Sequence, residues 1–97
     1  MINKNLLIDT HAHVNFNDFK NDSKEVIKRA LEENIWVINV GAYGDTSERA
    51  VEIAEECDYG VYAAVGQHPG AKEEFDYDYF LNLAKKEKVV AIGECGL

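Results

Sequence analysis

Short apolar runs alternate with amphipathic segments along this chain. Four runs have the length and β-branched content of buried strands, at positions 6–8, 35–40, 61–65 and 89–92. Between them, apolar residues recur at the three- and four-residue spacing of a helix that packs one face on a core. Strand and helix therefore alternate, which predicts consecutive right-handed βαβ units and a parallel sheet covered by helices.

Each of the three helical segments has a start signal and one apolar face. The first helix is predicted to begin at Asp22 or Ser23, with Glu25 at a capping-box spacing from Asp22, the second near Asp45, and the third directly after Asp76. The residues predicted to face the core are Val26, Ile27, Ala30 and Leu31, then Ala50, Val51, Ala54 and Cys57, then Phe80, Leu81, Leu83 and Ala84.

No low-complexity tract or Pro/Gly/Ser-rich linker interrupts the chain, so residues 1–97 are predicted to form a single unit without an internal domain boundary. The predicted strands recur at a nearly constant spacing, close to that of the βα units of a TIM barrel. A complete (β/α)₈ barrel typically needs about 200 residues or more. The predicted fold class is thus α/β, about four βα strands forming the N-terminal part of a TIM barrel; a four-stranded open α/β sheet is the alternative.

Charge and composition argue against two classes of protein: those that bind nucleic acid through a basic surface and those that span a membrane. Eighteen acidic and ten basic residues give a formal net charge of −8, which opposes binding of a nucleic-acid backbone through a basic surface. If the substrate is a phosphodiester, divalent cations must supply positive charge locally. The first apolar run is too short for a membrane span or signal segment, so a cytoplasmic protein without a membrane partner is expected. Cys57 and Cys95 are expected to be free thiols.

All three histidines of the chain lie where predicted strands end, and functional side chains gather there in parallel α/β folds. His11 and His13 are two residues apart in an extended segment, so their side chains leave the same face and can converge on one metal ion. We interpret them as metal ligands, against the alternative of two surface histidines. Asp9 has the same parity and is a candidate for orienting a ligand, or for an ordinary hydrogen bond at the strand end.

Two further strand ends carry candidate chemistry. Glu94 follows the fourth predicted strand, where a carboxylate is costly to bury without a cation or several donors. It is a candidate metal ligand, and a solvated loop glutamate is the alternative. His68 precedes Pro69, which biases it towards extended geometry, and it suits either contact with a phosphate or a structural role in its turn. The segment from Gly41 to Ser47 has neither Walker spacing nor Gly-x-Gly-x-x-Gly.

Three ordered motifs resemble those of the TatD-type metal-dependent deoxyribonucleases, in the amidohydrolase-like TIM-barrel superfamily: Asp9-Thr10-His11-Ala12-His13, Gly66-Gln67-His68-Pro69 and Gly93-Glu94-Cys95-Gly96-Leu97. The resemblance spans the chain but covers only the N-terminal portion of such an enzyme. It implies hydrolysis of phosphodiester bonds in DNA by a metal-activated water. It also implies divalent metal ions as cofactors, two in number, with zinc, manganese or magnesium as candidates.

By position, the resemblance implies a role for each motif residue. His11 and His13 are the paired metal ligands, and Glu94 is the carboxylate that bridges or shares two metals. His68 faces the substrate phosphate, so Glu94 and His68 are the candidate catalytic residues and His68 also binds substrate. The family's later ligands, two histidines and an aspartate, have no counterpart here. We therefore expect the isolated chain to be inactive and to self-associate or dock with the missing C-terminal half.

Three positions depart from the family pattern. Ala12 replaces a cysteine, Asn15 an acidic residue and Gly70 a second histidine. None of these is an expected ligand, but at Asn15 and Gly70 the resemblance does not imply the family's substrate contacts and fine specificity. Two other functions remain open on the sequence. One is an amidohydrolase-type metal enzyme acting on a non-DNA ester or amide, and the other is a non-catalytic α/β module that binds a partner.

Overall fold

The computed structural model describes residues 5–95, so Gly96 and Leu97 of the third motif lie outside the described residues. Helices and strands alternate along it, and the four strands pair in parallel in the order β1-β2-β3-β4. The predicted parallel α/β arrangement is confirmed. The elements are β1 Leu7–Ala12, α1 Ser23–Glu32, β2 Ile35–Val40, α2 Gly44–Glu55, β3 Val61–Val65, α3 Tyr77–Ala84 and β4 Val89–Ile92, with a 3₁₀ turn at Asn17–Phe19.

Two apolar clusters hold the helices against the sheet. The two central strands, β2 and β3, supply the buried strand residues of these clusters, and residues of the outer strands β1 and β4 pack only at their margins. Full burial of an aliphatic or aromatic side chain contributes about 1.5–3 kcal/mol, so these clusters fix the orientation of every helix. The first cluster contains Val14, Ile27, Val37, Ile53, Ala54 and Val61, and the second contains Ala50, Val51, Ala63, Val65, Phe80 and Leu83.

The helix starts follow the sequence signals in part. Asp76 caps α3 as predicted, because its Oδ1 accepts a hydrogen bond from the Tyr79 backbone N at 3.1 Å. The capping box predicted from Asp22 is wrong, since the side chain of Asp22 makes no cap hydrogen bond and its backbone is not extended. Helix α2 begins at Gly44, and the hydroxyl of Thr46 accepts hydrogen bonds from two backbone N–H groups of the preceding loop.

Most residues predicted to face the core do so. Leu81 is an exception, because it is 37% exposed. Cys57 lies beyond the end of α2 and is half-buried. Burial raises the pKa of its thiol, and both Cys57 and Cys95 are free thiols, as expected.

A tyrosine joins the N-terminal ends of α2 and α3. The Tyr79 hydroxyl lies 2.7 Å from Glu48 Oε1 and 3.1 Å from the Gly44 carbonyl oxygen. Burial of the hydroxyl and its hydrogen bond to Glu48 raise the pKa of Tyr79 to about 12. The contact fixes the start of α3 relative to α2, at the end of the sheet where the functional loops lie.

The two outer strands leave apolar side chains exposed. Leu7 and Ile8 in β1 and Val90 and Ile92 in β4 are each more than half exposed. Neither β1 nor β4 has a second pairing partner among residues 5–95. In the same residues, none of the helices has the length and hydropathy needed to cross a bilayer.

Candidate metal centre

Strand β1 is longer than predicted and contains an irregularity that sets the direction of the histidines. Asp9 and Ala12 pair with β2 residues that are only two apart, so β1 carries one extra residue, as in a β-bulge. Ala12 packs on the helix-side core, and the flanking His11 and His13 leave the opposite face. Asp9 therefore does not share their face, and that parity prediction is wrong. Its carboxylate instead accepts a hydrogen bond from the His11 backbone N at 3.1 Å.

The structure brings His11, His13 and Glu94 together at the carboxyl end of the sheet. Glu94 Oε2 lies 3.5 Å from His11 Nε2 and 3.6 Å from His13 Nε2. Each residue offers one ligand atom, and these three atoms all lie within 4.8 Å of one another. The two contacts are longer than a normal hydrogen bond, which is 2.7–3.2 Å for nitrogen and oxygen. The side chains thus surround a common point without bonding directly to each other.

The tautomer of His13 follows from its hydrogen bond. His13 Nδ1 lies 3.0 Å from the backbone carbonyl oxygen of Val40 at the end of β2. A carbonyl oxygen only accepts, so Nδ1 carries the hydrogen in the neutral ring and Nε2 keeps its lone pair. That lone pair is directed towards Glu94 and is available to a cation. A metal-ligating histidine typically makes this kind of bond through its other nitrogen.

His68 has the opposite tautomer. The Gly70 backbone N donates a hydrogen bond of 2.9 Å to His68 Nδ1, which must therefore be the unprotonated nitrogen. In the neutral ring Nε2 carries the hydrogen, and it lies 3.9 Å from Glu94 Oε1. His68 thus presents an N–H donor beside the cluster and offers no lone pair to a metal there. Gly70, a departure from the family pattern, contributes this contact through its backbone.

Backbone contacts between strand ends place Glu94. The Glu94 backbone N donates to the Gly41 carbonyl oxygen at 3.0 Å, and the Gly93 N donates to the Val65 carbonyl oxygen at 2.9 Å. Gly66 allows the close approach, because a Cβ there would lie 2.9 Å from the Glu94 carbonyl oxygen. These backbone hydrogen bonds therefore join the ends of β2, β3 and β4 next to Glu94.

Two buried asparagines near the site were not predicted as functional residues. Asn39 is fully buried in β2 and its Oδ1 accepts a hydrogen bond from the Val14 N, while Asn15 is 4% exposed and donates to two backbone carbonyls. The sequence did contain one indication of such a role. Asn39 is a polar residue inside the otherwise apolar run 35–40, and a buried polar side chain requires a hydrogen-bond partner.

The donor set suits a divalent transition metal. Two imidazole nitrogens and one carboxylate oxygen are ligands that zinc and manganese accept, whereas magnesium prefers oxygen ligands alone. With zinc bonds of about 2.0–2.1 Å, neighbouring ligands of a tetrahedral ion are separated by about 3.3–3.4 Å. The contacts of Glu94 with His11 and His13, at 3.5 and 3.6 Å, are close to that separation. The residues present therefore fit a metal once the ligand atoms, which lie within 4.8 Å of one another, move to about this separation.

Comparison with known proteins gives one consistent family. Residues 8–97 match the family described as TatD related DNase. The chain is 44% identical over 96 residues to the uncharacterized metal-dependent hydrolase YabD of Bacillus subtilis, covering 95% of this chain and 37% of YabD. It is 32% identical over 95 residues to the 3'-5' ssDNA/RNA exonuclease TatD of Pantoea ananatis, covering 94% of this chain and 36% of that protein.

A solved structure agrees with these relatives. The crystal structure of YjjV, a TatD homologue from Escherichia coli, matches with a TM-score of 0.71 and 33% identity, over 94% of this chain and 37% of that one. The chain thus spans a little over a third of the length of the relatives it matches. The described βα units correspond to part of a TIM barrel, which confirms the predicted fold class. By its sequence match and its fold, this chain belongs to the TatD-related DNase family.

Proposed function

We propose that this chain supplies part of the active site of a metal-dependent phosphodiesterase acting on DNA. The observation that carries the proposal is the convergence of His11, His13 and Glu94 within 4.8 Å at the carboxyl end of a parallel sheet. In this proposal His11 Nε2, His13 Nε2 and a Glu94 oxygen hold a divalent cation. A second cation shared by Glu94 needs further ligands from outside residues 1–97. Residues 1–97 are proposed to form one continuous part of a barrel domain, with no domain boundary inside them.

The chain's own residues have distinct roles in this proposal. When bound, divalent cations lower the pKa of water and stabilise negative charge that develops on a phosphate. His13 presents a lone pair because the Val40 carbonyl holds the hydrogen at Nδ1. His68 presents an N–H from Nε2, which suits a phosphate oxygen of the substrate. The Glu94 carboxylate would help to hold the cation, and the positive charge of the cation would offset the repulsion between the phosphodiester and a chain of net charge −8.

The names of the relatives support this proposal at two levels. YabD is named a metal-dependent hydrolase, which agrees with metal use, and the Pantoea ananatis relative is named an exonuclease of single-stranded DNA and RNA. We therefore propose single-stranded nucleic acid as the substrate class. The cytoplasm, which the sequence predicts, is kept as the proposed location. Hydrolysis of a different ester or amide by the same metal ligands is the competing function.

A chimaeric enzyme tests the proposed activity. Alone, the 97-residue chain is expected to bind Mn²⁺ but to digest little labelled single-stranded DNA, because the further ligands that the proposed second cation needs lie outside residues 1–97. Substituted for the matching segment of the Pantoea ananatis exonuclease, it is expected to support digestion. His13→Ala and His68→Ala should each remove that activity. A folded, Mn²⁺-binding chimaera that hydrolyses a simple ester but no nucleic acid would favour the competing function.

We also propose that the 97-residue chain self-associates in solution. Among residues 5–95, the outer edges of β1 and β4 have no strand partner and carry exposed apolar side chains, and such edges pair with other strands. Sedimentation velocity over a range of concentrations is expected to show dimers or larger species. Ile92→Lys places a charge on the β4 edge and should shift the distribution towards monomer. A wild-type chain that sediments as a monomer at every concentration would contradict the proposal.

A further inference from the structure

The turn that follows β1 is attached to its neighbours by side-chain amides. Asn15 Nδ2 donates to the carbonyl oxygens of Val40, at 3.1 Å, and of Thr46, at 2.8 Å. Asn39 Oδ1 accepts a hydrogen bond from the Val14 N at 3.0 Å. Because Asn15 and Asn39 are both buried, these bonds are shielded from water and hold the turn against the end of β2 and the first turn of α2.

One carbonyl oxygen links this turn to the candidate metal ligand. The Val40 oxygen accepts from Asn15 Nδ2 and also lies 3.0 Å from His13 Nδ1, so its two lone pairs serve both side chains. We propose that Asn15 is a positioning residue for His13, acting through the Val40 carbonyl; the proposal rests on the proposed metal-binding function. Asn15 fixes the position of the turn and of the shared acceptor. His13 is thereby held with Nε2 directed at Glu94.

The chemistry of the contact requires a donor at position 15. Both partners of Asn15 Nδ2 are carbonyl oxygens, which only accept, so an apolar side chain would remove both of these hydrogen bonds. Phe16 also restricts His13, because their ring centroids are 4.2 Å apart. Packing of an aromatic ring, however, does not decide which imidazole nitrogen carries the hydrogen. The Val40 carbonyl determines that the hydrogen is on Nδ1, and Asn15 holds the turn that follows His13 against this carbonyl.

Asn15→Ala tests the role by two independent measurements. Long-range ¹H–¹⁵N NMR of the metal-free chain reports the tautomer of His13, assigned by its absence in His13→Ala. Wild type is expected to show mainly the Nδ1–H form, and Asn15→Ala a mixture of both forms. Zn²⁺ affinity, measured by calorimetry, is expected to fall by about 10–100-fold, as is usual when a partner behind a metal ligand is lost.

Val51→Ala is the matched control. Val51 is buried in α2 and packs in the second apolar cluster, so its truncation lowers stability without removing any polar contact of the site. It should leave the tautomer of His13 unchanged and Zn²⁺ affinity within a few-fold of wild type. Asn15→Ser retains a hydroxyl donor in place of the amide and provides the same comparison if Asn15→Ala does not fold; an intermediate tautomer mixture is expected.

The outcomes separate the positioning role from metal binding. A shifted tautomer in Asn15→Ala with no Zn²⁺ binding by wild type would support the positioning role and contradict the proposed function. Zn²⁺ binding by wild type with the same tautomer and affinity in Asn15→Ala would overturn the positioning role and leave the function in place. Equal losses in Asn15→Ala and Val51→Ala would also overturn it, because general destabilisation would then explain the effect.

Discussion

Replacement of His13 by alanine is expected to reduce Mn²⁺ or Zn²⁺ affinity by more than the roughly 10–100-fold that loss of an indirect partner costs. His13 Nε2 is one of three ligand atoms within 4.8 Å, and its lone pair is set by the bond from Nδ1 to Val40. Two ligands, His11 and Glu94, would remain from this chain. Calorimetric titration at a mildly alkaline pH, where imidazole is neutral, measures the loss.

A second histidine provides the contrast for this measurement. His68 Nε2 lies 3.9 Å from Glu94, but its Nδ1 is occupied by the Gly70 N–H, so it presents a donor and not a lone pair. His68→Ala should therefore change metal affinity much less than His13→Ala does. Glu94→Gln, which keeps the shape but removes the charge, should resemble His13→Ala. Equal affinities for wild type and His13→Ala would contradict the assignment of His13 as a ligand.

The alternation of strands and helices was predictable because each element is encoded locally. The apolar run 35–40 became β2 without change of bounds, and Asp76 caps α3 through a contact three residues away. The meeting of His11, His13 and Glu94 was also predictable. Parallel strands end at one edge of a sheet, so residues that follow them meet there whatever their separation in sequence.

The details that depend on pairing between distant segments were not predictable. The extra residue in β1 appears only when β1 is aligned with β2, yet it decides that His11 and Asp9 leave different faces. Asn15 gains its role from the carbonyls of Val40 and Thr46, which lie 25 and 31 residues further along the chain. Neither relation leaves a local pattern in the sequence.

The close contact between β2 and α2 explains why glycine is needed at position 41. Gly41 is buried at the end of β2, and a Cβ there would lie 2.5 Å from the Ser47 Cα and 2.7 Å from the Ser47 N, besides overlapping its hydroxyl. Real Cβ atoms do not approach backbone atoms so closely. The first turn of α2 is part of the packed layer, so it cannot move away without disturbing Ala50 and Val51, both buried in the second cluster.

Gly41→Ala is therefore expected to destabilise the chain by about 3 kcal/mol or more, at or above the usual cost of overpacking a core. The damage should extend to the candidate metal site, because the Gly41 carbonyl oxygen accepts the hydrogen bond from the Glu94 N. Urea unfolding followed by far-UV circular dichroism measures the stability, and metal titration of the folded fraction measures the site. Gly93→Ala is the matched control, since a Cβ at Gly93 meets no atom within 4 Å. Similar unfolding midpoints for the two variants would show that the approach of α2 to the end of β2 is not the constraint inferred here.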